Sequence, residues 1–379
     1  MDPPCPIWLG QHHESAITVA PANTAVAAII TLRVMFSDQP MKMAARKTVK
    51  RTTKEQEGGL IGRLVRTLLF FTKGGIVRAV GLLSPGDMGH TVAKVLQEKG
   101  MPVLTNLSDR SERTRALARS AGVEDVLSYE ELIRRTDLIL SILVPAEAQN
   151  AARNIARALE STGARTTFVD CNAVSPVTVG DIAKEISAAG SRFVDASIIG
   201  PPPRREDTTR FYASGQHAEV FAELSDFGLD IFLLGRHIGQ ASGLKMAYAA
   251  FTKGATALST ELLTAAHAMG LYDALVEELQ HSQPEGYRNM VRAVPAVPKT
   301  AHRWAGEMEE IARTFSHLGL TPKIHQGAAE VFRFVDASPL ADMIFETPNR
   351  ERLLRETVEV LAKSLGQERP EPQDRSSRS

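Results

Sequence analysis

The sequence predicts an α/β protein, a doubly wound parallel sheet followed by an all-helical region joined to it through one long helix. Three observations carry this expectation. Short apolar runs alternate with helical stretches between residues 76 and 199. The first run ends in a glycine-bearing turn that opens directly into a helix. After Gly239 the strand-like runs stop and helical periodicity takes over.

The runs are IVRAVGLL (76–83), PVLTNL (102–107), TDLILSILV (136–144), RTTFVDCN (165–172) and RFVDASII (192–199). Helical stretches at 87–99, 111–121, 146–160 and 177–190 separate several of them. Short buried strands alternating with helices favour a parallel sheet covered on both faces. RFYASG (210–215) and IFLLG (231–235) extend that sheet. Residues 241–270 read as one helix, with apolar residues recurring at Leu244, Tyr248, Phe251, Leu258 and Leu262. Further helices are expected at about 272–282, 300–318, 325–336 and 349–366. The expected organisation is a sheet domain over 75–239 and a helical domain over 240–368, flanked by an extension (1–74) and a charged, Pro- and Ser-containing tail (369–379).

Length and composition bound the function. The 379 residues, 43% of them apolar, suffice for about two cored domains. Forty-four basic residues balance forty-four acidic ones, so no global field favours nucleic acid or a membrane surface. Cys5 and Cys171 stand far apart in no metal-spacing pattern, which argues against a disulfide framework or metal site and for a reducing compartment. No apolar run approaches the roughly 20 residues of a bilayer span. The expectation is a cytoplasmic protein. Lys42, Arg46, Lys47, Lys50, Arg51 and Lys54, with no acid among them, and a short amphipathic stretch at 59–75 raise a mitochondrial transit peptide as the alternative. Asp2, Glu14 and Asp38 favour a disordered extension or a later start at Met41 or Met43.

The glycine turn carries the first chemistry. VGLLSPGDMGHTVAKVLQEKG (80–100) places Ser84, Pro85, Gly86, Asp87, Met88 and Gly89 between strand and helix. In a dinucleotide fingerprint the first glycine turns the chain. The second lets backbone approach the pyrophosphate, and the third lets the helix pack on the strand. Gly86 and Gly89 occupy the second and third places, and Ser84 the first. The helix start adds N–H groups and a positive dipole end for phosphate. About 20 residues on, Asp109, Arg110 and Ser111, backed by Arg113, end the second strand where the ribose is read. An acid there suits the 2′-hydroxyl of NAD, and a guanidinium the 2′-phosphate of NADP. Arg110 with Ser111 tilts the expectation to NADP, with NAD as the alternative.

With the long helix added, the chain resembles the β-hydroxyacid dehydrogenase superfamily from about Val77 to about Phe334. VGLLSPGDMG is similar to that family's G-x-G-x-M-G. LVP (143–145), with Val144 and Pro145, matches its segment beside the nicotinamide. FVDCNAVSP (168–176) parallels D-x-S-T-x-x-P, and FVDASIIGPPP (193–203) parallels the substrate loop V-D-A-P-V-S-G-G. GQASGLKMAYAA (239–250) parallels G-x-G-x-x-x-K-x-x-N-N, whose lysine is catalytic. The chain looks most like a divergent phosphogluconate-dehydrogenase-like branch, with GEMEEIARTFSHLGLTPKIHQGAAEVF (306–332) as its C-terminal helical domain. The substrate half departs most. Asn172 and Ala173 replace the Ser-Thr pair, Ile199 the carboxylate-binding serine, and Tyr248 and Ala249 the two asparagines.

The resemblance implies an NAD(P)-dependent oxidoreductase acting on a small hydroxy or carbonyl substrate, with Lys245 as general acid and base. That role requires burial to lower the lysine pKa toward neutrality. Tyr248 is a second candidate catalytic donor. Asn172, Ile199, Gly200 and His325 join Lys245 and Tyr248 as candidate substrate contacts, and Asn172 also as a cofactor contact. Lys253 lies on another side of the helix and reads as structural. Reduction of a C=N bond, or nucleotide sensing without chemistry, are the competing readings. A homodimer through the helical domain is the implied assembly.

Overall fold

The computed structural model describes residues 77–366, apart from 206, 342 and 344–348. These lie within one compact unit, Gly75–Ser379. The expected basic extension, its amphipathic stretch and the tail fall outside the described residues.

Eight strands form one sheet in the order β3-β2-β1-β4-β5-β6-β7-β8. The strands are β1 (Val80–Leu82), β2 (Val103–Thr105), β3 (Glu124–Asp125), β4 (Leu138–Ser141), β5 (Thr167–Asp170), β6 (Arg192–Ile199), β7 (Arg210–Ser214) and β8 (Ile231–Gly235). β1 to β6 are parallel, in the order that reverses direction between β1 and β4. This is the Rossmann-type doubly wound sheet the sequence predicts. β7 turns back antiparallel to β6, and β8 runs parallel to β7. The last two strands therefore extend the sheet in the opposite direction, a reversal that apolar runs do not encode.

Alternate residues of each strand enter different cores. Val80, Leu138, Leu140, Val169, Val194 and Ala196 pack on one face. Ile139, Phe168 and Phe193 pack on the other, the two phenylalanines stacking with centroids 6.0 Å apart. Both faces are covered, which is why the strands read as continuous apolar runs.

The sheet helices are α1 (Gly89–Glu98), α2 (Glu112–Ser120), α3 (Tyr129–Arg135), α4 (Pro145–Thr162), α5 (Pro176–Ala188) and α6 (Ala218–Ala222). Ser111, Ser128 and Ser175 cap α2, α3 and α5 by accepting from Thr114, Glu131 and Thr178 N–H, and Pro145 and Pro176 open the next first turns. β3, α3 and α6 escape the sequence reading because two to seven residues, exposed and polar in β3, leave no periodic signal.

The helical half comprises α7 (Gln240–Ala268), α8 (Tyr272–Ser282), α9 (Pro284–Ala293), α10 (Ala301–His317), α11 (Lys323–Asp336) and α12 (Arg350–Lys363). One core joins Met246, Ala249 and Ala257 of α7 to Met308, Ile311 and Phe332, and a second joins Leu263 to Tyr272, Tyr287 and Leu354. The buried face of α7 corrects the sequence reading. The stripe that recurs in helical period is the outer one, with Phe251 77%, Leu258 60% and Tyr248 47% exposed. Small residues and Thr256, Thr260 and Thr264 face inward instead. Each of these hydroxyls donates to the carbonyl four residues earlier, so burial leaves none unpaired. Small side chains let neighbouring helices approach closely, which hydrophobicity alone does not reveal.

Candidate active site

The glycine turn leaves β1 at its C-terminal end and enters α1. A Cβ on Gly89 would lie 2.0 Å from the Ser84 carbonyl oxygen, so only glycine lets helix and turn meet there. A Cβ on Gly86 would meet nothing nearer than the Ser84 hydroxyl, at 3.8 Å. The space beside Gly86 is therefore open to a ligand. No side chain caps α1, and the His90 N–H donates to the Gly86 carbonyl at 2.9 Å. A helix start without a side-chain cap favours an anion beside it. Open space, uncapped amides and a close-packed glycine together fit a dinucleotide pyrophosphate.

Two arginines reach this turn from the segment after β2. The Arg110 guanidinium donates to the Leu83 carbonyl at 3.1 Å. Arg113 pairs with Asp87 at 2.7 Å. Between β2 and α2, Asp109 adopts a positive φ of 59°. Ser111 caps α2 through its side chain. The structure thus brings Arg110 and Arg113 to the glycine turn, while the Ser111 hydroxyl serves its own helix.

Val144 precedes α4 and Pro145 begins it. Their approach is set by Asn172, which is buried at the end of β5. Its Oδ1 accepts from Leu143 N–H at 2.6 Å, and its Nδ2 donates to Ser141 Oγ (2.9 Å) and Asp170 (3.1 Å). Both amide hydrogens are committed inside the protein. Asn172 therefore positions the 143–145 segment, which revises the expectation that it contacts cofactor and substrate directly.

Asp170 pairs in register with Asp195 of β6. Burial pushes the Asp170 carboxyl up to about 7, the Asn172 hydrogen bonds oppose this, and the charge of Asp195 adds to it. Asp195 is also raised by burial, opposed by its own donors. Those donors are numerous. One carboxylate oxygen accepts from Ser214 Oγ (2.9 Å), Gly239 N–H (2.8 Å) and Ala241 N–H (3.0 Å), and both oxygens lie 3.2 Å from Ser242 N–H. A strand carboxylate thus occupies the start of α7, where the helix dipole favours negative charge. Gly239, at φ 101°, lets the chain enter the helix at that point. Sequence reasoning quoted this strand without singling out Asp195. The available signal was an acid within an otherwise apolar run.

This mount sets the register of Lys245. Its Nζ donates to the Ile198 carbonyl at 2.7 Å, near the C-terminal end of β6. Its pKa is lowered from the ordinary 10.5 to about 8, chiefly by burial, with the charges of Lys253 and Arg303 acting in the same sense and Glu307 opposing them. Ile199 is buried at the strand end. A Cβ on Gly200 would strike the Thr208 carbonyl at 2.2 Å, so this glycine closes the loop between β6 and β7. Tyr248 follows Lys245 by one helical turn and stands on the half-exposed outer face. His325 is buried in α11 with its ring 4.4 Å from that of Phe315, its Nδ1 has no hydrogen-bond partner, and burial lowers its pKa.

Among the described residues, no cluster of His, Cys, Asp and Glu is arranged to hold a metal ion, and no helix is long and apolar enough to cross a membrane.

Comparison with known proteins agrees with this geometry. Residues 79–227 match the NAD binding domain of 6-phosphogluconate dehydrogenase, and residues 266–335 match a domain of unknown function, DUF1932. A solved structure of a conserved protein of unknown function, described as similar to 3-hydroxyacid dehydrogenases, is 32% identical with a TM-score of 0.54. The match covers 68% of this chain and 96% of that one. An uncharacterized 28.5 kDa protein of Methanothermus fervidus is 29% identical, over 56% of this chain and 81% of its own. The mitochondrial 3-hydroxyisobutyrate dehydrogenase of Drosophila melanogaster is 30% identical, over 46% of this chain and about half (54%) of its own length. The chain belongs to the β-hydroxyacid dehydrogenase superfamily, in the branch that joins a 6-phosphogluconate-dehydrogenase-type NAD-binding domain to a DUF1932 domain.

Proposed function

We propose that the protein is an NADP-dependent oxidoreductase that uses Lys245 as the proton acceptor for a small hydroxy substrate, and as donor in the reverse direction. The observation that carries this reading is a half-buried lysine whose Nζ lies on the Ile198 carbonyl near the C-terminal end of β6, where burial lowers its pKa to about 8. In open α/β sheets, ligands bind outside that edge. The amide-lined turn at Gly86 and Gly89 would hold the pyrophosphate, and Arg110 the 2′-phosphate. Bound nicotinamide supplies the hydride acceptor or donor. As the carbinol C–H bond breaks and its hydride leaves, neutral Lys245 takes the hydroxyl proton and a carbonyl forms. On this reading residues 75–239 carry the cofactor and residues 240–368 carry the base. The exposed stripe of Leu244, Tyr248, Phe251 and Leu258 supports a homodimer through the helical half, in which Tyr248 would become buried.

Lys245→Ala tests the role of the base. NADPH affinity should change less than threefold, while turnover on a panel of hydroxy acids, keto acids, aldehydes and cyclic imines falls at least a hundredfold. Unchanged turnover removes Lys245 from the chemistry, and activity confined to cyclic imines reassigns the reaction to C=N reduction. In the wild type, oxidation needs neutral Lys245, so its rate rises with pH through about 8. Reduction needs the ammonium and declines above the same pH.

A further inference from the structure

Among the described residues, four buried side-chain polar atoms have no hydrogen-bond partner: Thr166 Oγ1, Ser197 Oγ, Arg210 Nε and His325 Nδ1. Two of these belong to one strand pair. On the antiparallel β6–β7 pair, Ile199 stands opposite Arg210 and Ser197 opposite Tyr212. Opposed residues share a face and alternate residues return to it, so all four lie on one side of the sheet. Asp195 and Ser214 continue the same series and bind the first turn of α7, which identifies that side. Ile198 and Phe211 alternate with them and enter the core of the other face. Ser197 and Arg210 are therefore diagonal neighbours on the face where α7 begins, roughly 7 to 8 Å apart and within reach of a long side chain.

Lys245 meets the same short stretch. Its Nζ lies 2.7 Å from the carbonyl of Ile198. The orphaned Ser197 hydroxyl is one residue before that carbonyl, and the partner of Arg210 in the register is one residue after it. Nothing nearby accounts for either atom. Tyr212, directly opposite Ser197, stacks its ring on Phe232 of β8 with centroids 5.5 Å apart. No carboxylate among the described residues pairs with Arg210. Its guanidinium is always charged, and a buried N–H without an acceptor costs stability. Ser197 is fully buried, whereas Arg210 and Lys245 are only partly so.

We propose that Arg210 and Ser197 form an oxyanion-binding subsite beside Lys245, which receives a carboxylate or phosphate carried by the substrate. The guanidinium offers Nε–H and a terminal N–H to two oxygens of such a group in its forked geometry, and the Ser197 hydroxyl donates to one of them. Anchoring the acidic end there leaves the hydroxyl-bearing end for Lys245. That the anion belongs to a substrate rests on Lys245 being the base; the binding of the anion does not.

Binding is read on the full chain as the urea midpoint at constant ionic strength, with and without NADPH. The probes are 3-hydroxypropionate, glycerol 3-phosphate and the uncharged 3-hydroxypropionamide. A molecule that binds only the native state raises the midpoint as it saturates. The wild-type midpoint should rise with at least one of the two anions and stay level with the amide. Whichever anion acts at lower concentration identifies the oxyanion. Arg210→Met keeps the stem and should weaken that anion about tenfold, and Ser197→Ala about fivefold. Without probe, Arg210→Met should unfold at the same or a higher urea concentration than wild type, because it removes a buried donor that nothing in the protein satisfies. No rise with either anion in either condition overturns the proposal, as does an equal rise with the amide. An undiminished anion response in Arg210→Met, whatever its own midpoint, also overturns it. If Arg210→Met does not fold, Arg210→Lys keeps the charge and loses the fork, and a response equal to wild type there overturns the proposal. Failure of the catalytic reading would appear separately, as unchanged turnover in Lys245→Ala, and would leave the anion response standing.

Discussion

Two helices treat their N-termini in opposite ways. α1 starts without a side-chain cap beside an open space at Gly86. α7 starts with its N–H groups already taken by the Asp195 carboxylate of the strand beneath it. Helix starts favour anions in either case. The difference teaches that an unfilled start marks a ligand site, whereas a filled one is a mount. Here the mount sets the register of Lys245.

Four substitutions would break or sharpen this contrast. The largest effect is expected for Gly89→Ala, whose Cβ would sit 2.0 Å from a backbone oxygen. Relieving that clash should cost about 3 kcal/mol of stability, read as a lower denaturant midpoint. Gly86→Ala is its control. It should keep wild-type stability and lose NADPH affinity, because its Cβ enters only the ligand space. If both variants were equally unstable, the turn would be a packing device alone.

Asp195→Ala ranks next. It strips partners from several buried donors at once and should destabilise the fold by about 2 kcal/mol. A further effect belongs to the mount alone, namely a fall in kcat larger than any change in NADPH affinity. An unaltered kcat in the folded variant would mean that α7 finds its register without this carboxylate.

The smallest effect is expected at Arg110. Arg110→Ala should weaken NADPH about tenfold and NADH less than twofold, as loss of one guanidinium–phosphate contact implies. Equal losses on both cofactors would leave Arg110 as a brace for the Leu83 carbonyl.

The cofactor half was legible because its constraints are local. A strand, a glycine turn and a helix follow one another in sequence, and Gly89 answers the nearby Ser84 carbonyl. The Lys245 mount was less legible because its parts come from β6, β7 and the start of α7. Asp195, Ser214 and Ser242 meet only after the sheet has folded. The long helix misled in a specific way. Its apolar repeat at Leu244, Tyr248, Phe251 and Leu258 looks core-facing, but the buried face is mostly alanines and back-bonded threonines, with Met246 and Leu263 as its large apolar residues. Asn172 follows the same logic. Its residue type suits a ligand, yet Ser141 and Leu143, far away in the chain, draw it into a hydrogen-bond network.

The hydrogen bond from Lys245 to the Ile198 carbonyl has a consequence for selectivity. The ammonium already has an acceptor before any substrate arrives. An ammonium carries three N–H donors, so the carbonyl takes one and leaves two for a substrate oxygen. The tether fixes where those two point. Selection then falls on the direction from which an oxygen approaches, more than on its strength as an acceptor.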